Sequence, residues 1–189
     1  MPEALDLLKT RRSVKPNELT GPGPSASEIE TILTIASRVP DHGKLTPWRF
    51  IIFEGDARLT AGDKIVAAFK QKYPDSPEDQ VAKERERLAR APLVIAVVSR
   101  AGEHKKIPEW EQVLSAGAAS MSLVMAAHAL GYAANWITEW YAYDRGVLDA
   151  IGVAPQERLA GFIHIGRSEG TKEDRDRPPL AEIATRFAG

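Results

Sequence analysis

The amino-acid sequence predicts an α+β fold, and three observations carry that class. Short apolar runs of strand length are interleaved with helical patterns, and helices adjoin one another toward both ends of the chain. No Gly-x-Gly-x-x-Gly or Walker A loop follows a strand, which disfavours a regular doubly wound dinucleotide or nucleoside triphosphate fold. One long stretch, Glu109 to Leu130, is dense in Ala, Ser and Met and apolar on most faces. A helix of that kind belongs at the centre of a core or of an oligomer interface.

The elements follow in order. Ala4, Leu5, Leu7 and Leu8 make a short helical stripe that ends in a basic cluster. Pro16 to Pro24 is rich in Pro and Gly and reads as a loop. Ser25 or Ser27 caps the next helix, with Glu28 or Glu30 in its first turns. Its apolar face is Ile29, Ile32, Leu33 and Ala36, and Pro40 closes it. Phe50 to Phe53 reads as a short buried strand, and 57 to 72 has helical period. Pro74 and Pro77 break the chain, and 78 to 90 read as a solvated helix whose Lys83-Glu84-Arg85-Glu86-Arg87 run faces water. Pro92 to Val98 is a second buried strand, and His104 to Pro108 is a loop before the long helix. Gly131 ends that helix as a C-terminal cap. Tyr132 to Trp140 is a strand or an aromatic-lined loop, Asp144 caps a short helix through Ile151, and Arg158 to Ile165 is another strand. The tail carries the charged run from Lys172 to Arg177 and then Pro178-Pro179.

A chain of 189 residues fits one domain, 1–189, with a substantial core; 43% of it is hydrophobic and 27% charged, near the globular average. The net charge of −1 indicates no nucleic acid or other polyanionic partner. With no cysteine there is no disulfide, thiolate nucleophile or sulfur metal site. The four histidines lack ligand spacing, so no metal is expected, and no Gly-x-Ser-x-Gly elbow is present. Met1-Pro2-Glu3-Ala4-Leu5-Asp6 does not read as a signal peptide, and no apolar run approaches membrane-spanning length. A cytoplasmic protein without a membrane partner is expected.

Two segments stand out. Arg11-Arg12-Ser13-Val14-Lys15 offers guanidinium forks and a hydroxyl, the groups that hold a phosphate, although a basic helix end also complements the helix dipole without any ligand. Pro40-Asp41-His42-Gly43-Lys44-Leu45-Thr46-Pro47-Trp48-Arg49-Phe50 begins with turn chemistry and runs into the first strand. Together they resemble the N-terminal signature of the nitroreductase family, the FMN-dependent NAD(P)H oxidoreductases. The similarity is to the short, minimal members, which also carry Arg-Arg-Ser and Pro-Asp-His. Trp110-Glu111-Gln112 at the start of the long helix, Ala126 to Tyr132 at its end, and Gly166 on the last strand continue the resemblance in order along nearly the whole chain.

The resemblance implies a nitroreductase-like fold: a central, mostly antiparallel sheet flanked by helices, with one long central helix. It implies a homodimer with FMN at the interface. It assigns Arg11, Arg12 and Ser13 to the FMN phosphate and ribityl chain, and Lys15 to the flavin pyrimidine. Arg38 and His42 are further FMN ligands. Thr46 stands where larger members carry a glutamine, a departure at the flavin edge. Trp136, Ile137 and Thr138 lie where the family places backbone over the flavin, with an N–H toward N5, and Arg167 is a further candidate for the phosphate. The helix end Ala126, Ala127, His128, Ala129, Leu130 and Gly131 would admit the nicotinamide of NAD(P)H; helix packing with a glycine cap accounts for the same residues without a ligand. Trp48 is assigned to packing, and Trp110-Glu111-Gln112 to packing or a cap.

The implied reaction is ping-pong: hydride passes from NAD(P)H to FMN, then to a small electron-poor acceptor such as a nitroaromatic or quinone. No side chain is assigned as catalytic, since water in an open cleft supplies protons. Alternatives are a specialised dehydrogenase or dehalogenase of the family, for which the segment between Pro74 and Pro92 leaves little room for a lid, or a non-catalytic FMN storage or sensor protein.

Overall fold

The apolar runs become four strands of one antiparallel sheet, ordered β1-β2-β4-β3: β1 Trp48–Glu54, β2 Leu93–Ser99, β3 Ala133–Ile137 and β4 Arg158–Gly166. They belong to a computed structural model that describes residues 3–170 and 173–188. The helices are α1 Ala4–Thr10, α2 Ala26–Ala36, α3 Ala57–Lys72, α4 Glu78–Arg85, α5 Glu109–Ala129, α6 Arg145–Ala150 and α7 Leu180–Ile183.

Every residue of β2 is buried, because both faces of the sheet are covered. Leu93, Ile95 and Val97 pack with Ile29 and Ile32 of α2 and Leu123 of α5. Val94, Ala96 and Val98 point the other way, to Ile65 of α3 and Val147 and Leu148 of α6. That alternation across the pleat makes three layers, with α5 central on one face. A strand covered on both sides reads as a continuous hydrophobic run.

The same kind of run misleads at β1. Phe50 to Phe53 reads as buried, yet β1 is an edge strand and Ile52 is 38% exposed. An apolar run does not encode whether a second neighbour strand exists. The solvated-helix reading of 78 to 90 also needs correction. α4 stops at Arg85, and Glu84, inside the charged run, is only 4% exposed. Its carboxylate accepts from Arg87 Nη2 at 2.6 Å and from Trp140 Nε1 at 2.8 Å. Arg87 lies only three residues away, but Trp140 comes from 56 residues along the chain, and a local charge pattern cannot report it.

The helix ends obey local chemistry. Ser25 is the α2 N-cap, in a reciprocal capping box with Glu28. Asp144 accepts from Val147 N at 3.0 Å. Gly131 adopts φ 81°, and Tyr132 N returns to Ala127 O at 3.0 Å, closing α5 as a left-handed glycine cap does. Tyr132 to Trp140 resolves into β3 followed by a 3₁₀ turn at Trp140–Ala142. No residue of α1 is fully buried: Leu5 is 67% and Leu8 64% exposed. No helix among the described residues is long and apolar enough to cross a membrane. Lys172 of the charged tail run, and Met1 and Pro2 of the segment Met1 to Asp6, lie outside the described residues.

Candidate cofactor site

At the C-terminal end of α5 lies an open cleft of about 440 Å³, its walls including Arg11, Arg12, His128, Gly131, Tyr132 and Ser168. The chain after α1 is brought there by β3. Val14 N donates to Ala134 O at 3.3 Å, and Asn135 Nδ2 donates to Val14 O at 2.9 Å. Val14 itself is buried with Leu19, Ala91 and Ala133, which pins the basic segment beside the sheet edge. Ser13 is exposed, with Oγ 3.4 Å from Arg11 Nη1, and Lys15 is exposed at the start of a 3₁₀ turn.

The charges in this cleft are not balanced. Arg12 pairs with Asp174 at 3.2 Å, and Arg177 also leans on Asp174. Arg11 has no carboxylate in ion-pair reach among the described residues. Burial, then Arg177 and Arg12, hold its pKa below the usual guanidinium value. Arginine stays charged regardless, so Arg11 is a half-buried cation with no carboxylate partner among the described residues. His128 beside it is pushed down to about 4 by burial and by Arg11, so at neutral pH it is uncharged. Its Nε2 is buried without a hydrogen-bond partner among the described residues. Arg167 lies at the margin: its guanidinium covers the Tyr132 ring at 4.0 Å and donates to Gly131 O at 3.1 Å.

The other candidates lie elsewhere. Arg38 is exposed after α2. His42 sits at the opposite, N-terminal end of α5, where Nδ1 meets Glu111 Oε2 at 2.7 Å. Its loop is unusual: Gly43, Lys44 and Thr46 all have positive φ, 70°, 54° and 48°. Asp41 compensates by accepting from Leu45 N at 3.0 Å and Thr46 N at 2.9 Å. Ser115 of α5 donates to Pro40 O at 2.7 Å and accepts from Trp48 Nε1 at 3.1 Å. Trp48 packs as expected. Trp110 is 68% exposed, so of the packing or cap role expected of Trp110-Glu111-Gln112 this side chain does not supply packing within the chain.

At the far end of β3, Trp136 lays its indole across Gly161 and donates from Nε1 to Ala160 O at 3.0 Å. A side chain at position 161 would collide with that ring. Ile137 is half-buried, and the exposed Thr138 accepts from Tyr143 O–H at 2.9 Å. Glu139, which sequence reasoning missed, anchors the segment through Arg87 at 2.8 Å and through Arg90. The stretch Ala126 to Gly131 does not form one surface. Ala126 and Ala127 are core residues, 2% and 0% exposed, while His128, Ala129 and Leu130 are half-buried and Gly131 is exposed. At 3.6 residues per turn the neighbours Ala126 and Ala127 share the core-facing side, and His128 turns toward the cleft.

The comparisons with known proteins converge. The model of the nitroreductase family matches residues 8–167. An Escherichia coli (strain K12) protein named "Putative NAD(P)H nitroreductase YdjA" is 36% identical over 166 residues, 87% of each chain. Two solved structures share the fold. One is a nitroreductase-like family protein from Bacillus cereus (TM-score 0.84, 21% identity, covering 100% of this chain and 98% of that one). The other is a "putative nitroreductase in complex with FMN" from Desulfovibrio desulfuricans (TM-score 0.75, 22% identity, 100% and 99%). The family model and the Escherichia coli relative each span most of the sequence, and the chain belongs to the nitroreductase family.

Proposed function

We propose that two copies of this chain form an FMN-dependent NAD(P)H oxidoreductase, with each flavin held between them and 1–189 acting as one FMN-binding unit. The observation that carries this reading is the separation of the candidate ligands. Arg11, Arg12 and Ser13 sit at the His128 end of α5, and His42 sits at the Glu111 end. Seventeen residues of helix separate those ends by about 25 Å at 1.5 Å per residue. A two-fold axis that packs α5 antiparallel on its copy brings one protomer's His42 end to its partner's Arg11 end. α5 carries an unpartnered seam suited to that: Trp110, Leu114 and Met121 are 68%, 54% and 39% exposed, and Gly117 opens onto empty space. The seam joins two half-sites that neither copy completes alone.

The residues fit FMN. Arg11 supplies an uncompensated cation for a phosphate, with the Ser13 hydroxyl beside it. The Escherichia coli relative's name specifies NAD(P)H, and the Desulfovibrio desulfuricans structure holds FMN. Bound FMN supplies hydride acceptance from NAD(P)H and hydride donation to an electron-poor acceptor such as a nitroaromatic or quinone, in ping-pong order. The protein's part is to bind and orient. Arg11 and Arg12 neutralise the phosphate, Lys15 adds positive charge near the flavin, and the anchored segment Trp136–Thr138 presents backbone. Protons come from water in the open cleft.

The test is direct. Purified protein should be a yellow dimer with one FMN per chain, bleached anaerobically by NADH or NADPH and recoloured by a nitroaromatic or quinone. Binding without bleaching would favour storage or sensing, and failure to bind FMN removes both readings.

A further inference from the structure

We propose that Glu111 is a positioning residue for the flavin site: it fixes the orientation and tautomer of His42. This rests on the assignment of His42 to the flavin of a two-fold pair.

The argument begins with the loop. Two non-glycine residues, Lys44 and Thr46, are held at positive φ, an arrangement that persists only where surrounding contacts impose it. Asp41 and Ser115 provide those contacts. They fix the backbone of the loop, and none of them touches the imidazole. The one hydrogen bond the His42 ring makes among the described residues is to Glu111. That pair lies in water, the side chains 63% and 46% exposed, and exposed pairs contribute little to stability. Folding the loop does not require it. Its consequence is chemical. An ionised carboxylate only accepts hydrogen bonds, so Nδ1 must carry the proton. Nε2 then remains free for a ligand, with the ring held to one plane. Glu111 stands in the first turn of α5, a rigid element where a carboxylate is also favoured by the helix dipole. Ser115, one turn further along, holds the loop's entry at Pro40, so loop and ring are referenced to the same helix.

The experiment titrates FMN into apoprotein of wild type, His42→Ala, Glu111→Ala, Glu111→Gln and the double alanine variant, and records the ring nitrogens of His42 by NMR. In wild type, Nδ1 should carry the proton. In Glu111→Ala the two tautomers should mix and FMN should bind about tenfold more weakly, the loss of one well-placed hydrogen bond. Glu111→Gln, whose amide oxygen still accepts from Nδ1, should restore the tautomer and most of the affinity. The double variant should bind no more weakly than His42→Ala. If His42→Ala weakens FMN and Glu111→Ala leaves affinity and tautomer as in wild type, Glu111 positions nothing. Additive losses in the double variant also overturn the proposal, since the two residues would then act separately. If His42→Ala binds FMN as wild type does, the assignment of His42 to the flavin fails, and the role of Glu111 fails with it.

Discussion

Each end of α5 carries a histidine, and the two are built in opposite ways. His128 is buried beside Arg11, is pushed down to about 4, and finds no partner for Nε2 among the described residues. His42 stands in water on a carboxylate. At the His128 end the imidazole is neutral, and the positive charge lining the cleft among the described residues comes from Arg11 and Arg12. At the His42 end the imidazole itself is presented, oriented from behind. In the proposed dimer one end would meet an anion and the other would offer a directional hydrogen bond, both to a single ligand.

The largest expected effect comes from separating the ends. Met121→Glu and Met125→Glu place carboxylates in the proposed α5 seam, where an unpaired buried charge is strongly unfavourable. Light scattering should show monomer or aggregate, and the spectra should show flavin loss. A wild-type monomer that holds FMN stoichiometrically would defeat the dimer and, with it, the pairing of the two ends.

A third histidine sharpens the comparison. His164 is fully buried on β4 and, like His128, is pushed down to about 4 chiefly by burial, but it lies in the core away from the cleft. The unfolded chain takes up its proton near pH 6.5, whereas the folded chain resists until about pH 4. Stability from His164 is therefore complete above about pH 6.5 and lost as pH falls toward 4, by about 3 kcal/mol at 1.36 kcal/mol per pH unit. Urea melts at pH 7 and pH 4.5 should show a smaller drop for His164→Leu than for wild type. Equal drops would mean that the acid loss arises elsewhere.

Arg11→Ala tests the anion end. It should weaken FMN more than riboflavin, by about 1.5–3 kcal/mol or roughly ten- to a hundredfold. Equal losses for both ligands would move Arg11 away from the phosphate.

Much of the frame was legible because it is local. The Ser25–Glu28 capping box, the Gly131 cap, the Asp144 cap and the apolar runs of β1, β2 and β4 each depend on residues within one turn or one strand, whereas the β3 segment reads equally as a loop. What escaped depends on partners far along the chain. Glu111 meets His42 across 69 residues, and Glu139 meets Arg90 across 49. Glu84 sits in a charged run that reads as solvated, and its burial follows from where Trp140 lands. Gly161 lies inside the run Arg158 to Ile165, which reads simply as a strand, whereas in the fold its missing side chain leaves room for Trp136. The candidate ligands were legible one by one through the family resemblance; their division between the two ends of α5 follows only from tertiary packing.

The smallest predicted effect concerns two cations of one segment. Arg11 is half-buried in the cleft, whereas Lys15 is exposed four residues further on, past the point where Val14 ties the chain to β3. In the proposed site Arg11 would meet a phosphate by contact, and Lys15 would act on the flavin ring through its field. Two-electron reduction adds negative charge to a flavin, and a nearby ammonium favours that charge. Lys15→Met keeps the aliphatic stem and removes the cation, so the fold should be unaffected. The potential of bound FMN should fall by about 30 mV, which for a two-electron couple corresponds to about 1.4 kcal/mol. FMN affinity should change less than in Arg11→Ala, because the oxidised ring is neutral and the phosphate contact is intact. Dye equilibration under anaerobic conditions measures the shift. Solvent screening sets the scale: a lysine separated from the ring by water would leave the potential where it was. An unchanged potential would then assign all of the site's positive charge to the arginines at the His128 end.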